Sequence, residues 1–290
     1  MARSHIYLAS FVSCFAALAL AAGGGGGRIA AGAAGVRVAL YVGGGATAPS
    51  FANYSVALAQ LAASGDIASF AELAAADIDG GRLAAADFDV LLMPGGMSTT
   101  ESAAVGAEGL ANILQFVALG GGYVGVCAGA YLAFAAECCD RTVPGYCGNA
   151  TGCFKTPWSL GLAPLASADP WDRGHGLVNI SFSAAAVESL RLPYTPGENV
   201  TIMYWQGPVL DKAWRGALPG ENFEELATYQ SEIHEDWPDF TTGVMVGTPA
   251  LTSTTYGRGR VLLSSPHPEE TSPILLPVIR GYVQWAGRAI

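Results

Sequence analysis

The stretch Gly120-Gly121-Gly122-Tyr123-Val124-Gly125-Val126-Cys127-Ala128-Gly129-Ala130-Tyr131 constrains this chain more than any other. Residues 123–126 read as a short buried strand and residues 128–136 as an apolar helix, with a cysteine between them hemmed in by small side chains. A strand that turns into a helix within one residue needs small neighbours, because the two backbones pass close together. Such a turn lifts its central side chain above the edge of a sheet, the mechanics of the G-x-S-x-G elbow. Cys127 is therefore the first candidate nucleophile.

The rest of the chain supplies a sheet for that elbow. Residues 36–42 form an apolar β-rich run, 54–63 an amphipathic helix, 67–73 a second strand, 88–93 a third, and 109–119 another helix. Alternating strand and helix predict an α/β fold: a doubly wound, mostly parallel sheet flanked by helices, with its working loops at the carboxyl ends of the strands. Three loops fall on that edge, at residues 43–50, 94–100 and Cys127. Residues 137–173 are rich in cysteine, proline and glycine and read as an irregular, stapled insertion. Further strands are expected at 177–182, 200–204, 225–229, 244–246 and 252–256, spaced for an additional antiparallel portion, then at 260–265. A helix over 274–285 closes the chain. With 290 residues that are 51% hydrophobic, residues 36–290 suffice for one domain with a sizeable core.

Arg3, the apolar run 6–20 and the small-x-small triplet Ala19-Leu20-Ala21 predict a secretory signal over residues 1–22. The alternative is an uncleaved anchor, but the apolar run is shorter than the roughly 20 residues a membrane span needs, and no membrane association is expected after removal of the signal. A Gly/Ala-rich spacer follows over 23–35. Sequons at Asn53, Asn149, Asn179 and Asn199 fit the same secreted location. Removing the signal takes Cys14 with it and leaves five cysteines, an odd number. In an oxidising compartment Cys138, Cys139, Cys147 and Cys153 can pair among themselves as two bridges, leaving Cys127 as the free thiol. Three connectivities exist; the vicinal one is disfavoured by disulfide geometry. Cys-x-x-Cys pairs are lacking, so no zinc or other metal site is expected. A net charge of −10 argues against nucleic acid as a partner.

A cysteine nucleophile needs a base, and the base needs an orienting group. Of four histidines, His5 leaves with the signal and His175 and His234 stand in polar loop-like segments. His267 alone follows a buried strand, and Glu269, two residues on, projects to the same side in an extended segment. The blander alternative makes Cys127 a small buried hydrophobe and His267 a surface residue. Pro94-Gly95-Gly96 ends the third strand and can aim a backbone N–H, together with that of Ala128, at a tetrahedral oxyanion. Gly43-x-Gly45-x-x-Ala48, with Asp66 about twenty residues on, fits a relaxed dinucleotide fingerprint, but Pro49 and Ser50 are read as interrupting the helix it requires. No Gly-Lys-Ser/Thr follows a glycine loop, which excludes a P-loop. No cofactor is expected.

The elbow at Gly121–Tyr131, the run Asp89 to Gly96 and the distant His267-Pro268-Glu269 together resemble the class I glutamine amidotransferase-like superfamily. Within it, Tyr41-Val42-Gly43-Gly44-Gly45 and Tyr204-Trp205-Gln206-Gly207-Pro208 are similar to the N-terminal domain of eukaryotic biotin-protein ligases and its stand-alone relatives. The resemblance implies Cys127 as nucleophile, His267 as base, Glu269 as its orienter, and Gly96 and Ala128 as oxyanion donors. It implies attack on a small-molecule or peptide amide, through a thioester and without a metal. It does not extend to a biotin-transfer domain, so biotin ligation is not expected. Two other readings stand beside the hydrolase: a silent binding protein that keeps the fold, and a thiol-redox role on the same sheet.

Overall fold

Twelve strands and six helices are built from residues 35–84, 86–139, 152–169, 174–210, 223–233 and 243–288, the part of the chain that the computed structural model describes. The expected signal peptide, nearly all of the spacer, Cys147, the Asn149 sequon and His234 lie outside these residues.

In chain order the elements are β1 (Arg37–Tyr41), α1 (Ala48–Ala63), β2 (Ser69–Leu73), α2 (Ala75–Asp79), β3 (Val90–Met93), α3 (Ser98–Ala118), β4 (Gly122–Val126) and α4 (Ala128–Ala133). There follow β5 (Phe134–Cys139), β6 (Gly152–Phe154), β7 (Ala163–Asp169), β8 (His175–Phe182), α5 (Ala184–Ser189) and β9 (Asn199–Trp205). The chain continues with β10 (Glu224–Tyr229), β11 (Pro249–Tyr256), β12 (Gly259–Ser264) and α6 (Leu276–Ala286). Nine strands make one sheet in the order β2-β1-β3-β4-β12-β11-β10-β8-β9. The first five run parallel, and the last four join antiparallel.

The central strands are apolar on both faces because both faces are covered. Val38 and Leu40 of β1, Leu92 of β3, Val124 of β4 and Leu262 of β12 enter one core cluster, with Leu58 of α1 and Val283 of α6. Their neighbours Ala39, Tyr41, Leu91, Tyr123 and Leu263 enter the other, with Val105 and Ile113 of α3. Successive side chains of a strand point to opposite faces, so an unbroken apolar run feeds two cores at once. Each such fully buried Leu or Val contributes about 1.5–3 kcal/mol relative to exposure.

Register then positions the site. Met93 of β3 pairs with Gly125 of β4, and Val126 with Ser264 of β12. These strands therefore end level, and the loops that follow them emerge side by side.

The alternation of elements and the antiparallel portion agree with the sequence reading. Several segments differ. The helix expected from residue 54 begins at Ala48, with Pro49 in its first turn, where a missing N–H breaks no helical bond. The helix expected over 128–136 stops at Ala133, and β5 starts at once. The insertion is not irregular throughout: β6-β5-β7 form a second, three-stranded sheet. Residues 244–246 form no strand, and His175, expected in a loop, begins β8.

Candidate active site

Cys127 stands between β4 and α4 with φ 50° and ψ −102°, a backbone conformation that costs a non-glycine residue about 1–3 kcal/mol. The turn is held from all sides. Cys127 N–H donates to Ser264 O (2.9 Å), and the N–H groups of Ala130 and Tyr131 donate back to Cys127 O. Gly129 is required for the close approach: a Cβ there would lie 2.3 Å from Met93 O. The thiol is only 6% exposed and donates a 3.5 Å hydrogen bond to Trp205 O.

His267 reaches the cysteine from the loop after β12. Its N–H donates to Met203 O (2.7 Å) on β9. Thr271 Oγ1 donates to His267 O (2.8 Å) while accepting the N–H of Met203 (3.0 Å). The ring packs edge-on over Gly95, where a Cβ would meet Cε1 at 2.4 Å. Its Nδ1 is 2.8 Å from Glu269 Oε1, and both side chains are buried. That contact assigns the proton to Nδ1 and leaves Nε2 to accept. Nε2 is buried, with the Cys127 side chain as its neighbour and no other hydrogen-bond partner among the described residues. Burial opposes protonation of this ring, but the charges of Glu269 and of a Cys127 thiolate outweigh it and hold its pKa well above the ordinary histidine value.

Glu269 is supported by a residue that sequence reasoning missed. Ser50, in the first turn of α1, donates a 2.6 Å hydrogen bond to Glu269 Oε1 and accepts the N–H of Gly95 at 2.9 Å. The signal was present: the 43–50 loop was placed on the functional edge, but Ser50 was read only as a helix interruption. The glycine loop before it serves the same edge. Thr47 N–H donates to Gly95 O and Met97 N–H to Gly45 O (both 2.9 Å), which clamps the loop after β3.

No hydrogen bond among the described residues engages the N–H of Gly96 or of Ala128, the two expected oxyanion donors. Cys127, His267 and Gly96 line one cavity of about 500 Å³, together with Trp158, Trp205, Tyr131, Glu137 and Glu270. Trp205 belongs to the Tyr204–Pro208 motif, which the structure thus brings to the site. The ligand atoms of His267, Glu269 and Glu270 lie within 4.8 Å of one another. In this set His267 Nδ1 and Glu269 Oε1 are already joined to each other.

The comparisons with known proteins follow this geometry. Residues 36–147 match the family model described as the N-terminal region of biotin-protein ligase. A solved glutamine amidotransferase superposes with a TM-score of 0.50 at 20% identity, over 88% of this chain and 100% of its own. PurLQS from Thermotoga maritima superposes with a TM-score of 0.54 at 14% identity, over 87% and 97%. The fold is that of the class I glutamine amidotransferases. No curated protein sequence matches the chain as a relative.

The amidotransferase-like fold and the biotin-protein ligase N-terminal match agree with the resemblance read from the elbow, Pro-Gly-Gly and His-Pro-Glu. The matched region contains Cys127, Gly96 and Ala128 but ends before His267 and Glu269. The placement of His267 on the same cavity as the cysteine, with Glu269 on its Nδ1, is a fact of the three-dimensional structure. A thiol on a strained turn and an imidazole fixed by a carboxylate, on one cavity with Gly96, are the parts that acyl transfer needs.

Proposed function

We propose that this chain is a secreted cysteine hydrolase that cleaves an amide through a thioester. One observation carries the reading: His267, buried and fixed through Nδ1 by Glu269, lines the same cavity as Cys127 and interacts with its side chain.

The steps follow from the atoms present. His267 Nε2 takes the thiol proton, and Cys127 Sγ forms a bond to the amide carbonyl carbon. The carbonyl π pair moves to oxygen, where the N–H groups of Gly96 and Ala128 receive the charge. Collapse breaks the C–N bond as Nε2–H delivers its proton to the departing amine, leaving a thioester. Water, deprotonated by Nε2, then attacks that carbon, and the acid leaves as Cys127 regains its proton. Glu269 holds the ring through Nδ1 and stabilises the imidazolium.

The secretory route is supported by the leader-like N-terminus and the sequons, of which Asn199 is exposed at the start of β9. Asn53 lies partly buried in α1, and Asn179 Oδ1 accepts a 3.0 Å hydrogen bond from Thr201. Cys138 and Cys153 sit opposite each other in the β5–β6 register, which favours that pairing among the three connectivities.

The test is trapping. Protein incubated with a panel of primary and secondary amides in the presence of hydroxylamine should yield an acyl hydroxamate and free amine, and Cys127→Ala should yield neither. A panel that gives no amine from the parent while a ligand still binds Cys127→Ala supports the silent binding protein instead.

A further inference from the structure

The charges around the cavity are lopsided. Glu270 and Glu137 line it, Glu269 is buried directly behind it, and no lysine or arginine is found among its described lining residues. If the thiolate and the imidazolium cancel, the carboxylates of Glu269 and Glu270 remain. Half-burial raises the pKa of Glu270; His267 lowers it, and the neighbouring Glu269 raises it again. A carboxylate so placed gains from a cation that replaces lost water.

The walls suit the same kind of group. Trp158, Trp205 and Tyr131 line the cavity, and Trp205 keeps half of its surface exposed. Aromatic faces beside carboxylates form a site for ammonium and guanidinium groups. The chain's net charge of −10 adds long-range attraction of the same sign. A free amino acid such as glutamine brings a carboxylate as well, and that group would meet the like charge of Glu270 here.

We propose that the cavity selects amides carrying a cationic group next to the scissile bond, with Glu270 as the principal counter-charge and the indoles of Trp158 and Trp205 as the faces that receive it. The amide part of this statement rests on the hydrolase reading; the charge part does not.

The experiment uses three chloroacetamides of matched length, ending in trimethylammonium, in the isosteric neutral tert-butyl group, or in carboxylate. Intact-mass measurement on the full chain gives the second-order rate of Cys127 alkylation by each at low ionic strength. The cationic probe should exceed the neutral one by about tenfold and the anionic one by more, with the preference shrinking as salt is added. Glu270→Gln, and more fully Glu270→Gln with Glu137→Gln, should reduce the cationic preference several-fold. The salt series on the parent serves if a variant does not fold. An anionic probe as fast as the cationic one, or a preference untouched by salt or by the double substitution, overturns the proposal. The two readings fail separately. A protein that prefers the cationic probe yet cleaves no amide keeps this inference and loses the hydrolase. One that cleaves amides without regard to charge does the reverse.

Discussion

Ser50 Oγ donates a 2.6 Å hydrogen bond to Glu269 Oε1 across 219 residues of sequence. The same oxygen of Ser50 accepts the N–H of Gly95, so one hydroxyl ties the base's orienting carboxylate to the loop beside the cysteine. Ser50→Ala removes a donor from a fully buried carboxylate. The expected cost is about 1–3 kcal/mol of stability, measured by thermal unfolding. Alkylation of Cys127 should slow as His267 loses its fixed orientation, and a variant as reactive as the parent would deny Ser50 that role.

Glu269→Gln keeps the shape and removes the charge. Turnover should fall by roughly 10⁴-fold, the loss that follows when the third member of such a triad is neutralised. The variant also changes the pH dependence of stability. His267 is raised in the folded state, so its contribution is fully present below the ordinary histidine value near 6.5 and is lost as pH rises through the folded value. Unfolding measured from pH 6 upward should show that loss in the parent and a flatter curve in Glu269→Gln.

Gly95→Ala places a Cβ 2.4 Å from His267 Cε1, and the imidazole can move away only by giving up its contact with Glu269. Overpacking of this kind costs about 1–3 kcal/mol. Activity should fall further than stability, because a shift on the order of 1 Å in a reacting group can cost about 10²-fold. Comparing kcat with the unfolding midpoint separates the two effects.

Glu101 offers a test away from the cysteine. It is fully buried in the first turn of α3, neither carboxylate oxygen has a partner, and burial pushes its pKa up to about 8. The unfolded chain ionises this group near 4.5, so the folded state binds the extra proton between those values and stability falls as pH rises from about 4.5 to about 8. Glu101→Gln removes that slope. The variant should therefore gain stability relative to the parent at pH 8 compared with pH 5, measured by denaturant unfolding at both.

The parts of this molecule that were legible in sequence are those written in local pattern. Apolar runs such as residues 36–42 and 88–93 mark central strands because a strand buried on both faces shows no alternation. The small residues around Cys127 mark the elbow because close backbone approach excludes side chains there. Ser50 was not legible as a partner of Glu269, since a hydrogen bond between α1 and the loop after β12 leaves no local trace. The second sheet was hidden for a different reason: cysteine, glycine and proline in the insertion signal loops, while pairing of β5 with β7 is decided by tertiary contact. Pro49 misled because proline's meaning depends on position, and the first turn of a helix accepts it.

The central claim is that His267 acts on the Cys127 sulfur, and the most direct measurement is the rate of iodoacetamide alkylation of Cys127 from pH 5 to 8 in the parent and in His267→Asn. The account predicts that parent Cys127 outpaces an ordinary exposed thiol at the acid end of that range, and that His267→Asn loses at least about tenfold there while gaining ground as hydroxide takes over the proton. Parent and variant curves that coincide with each other and with a simple thiol would contradict it.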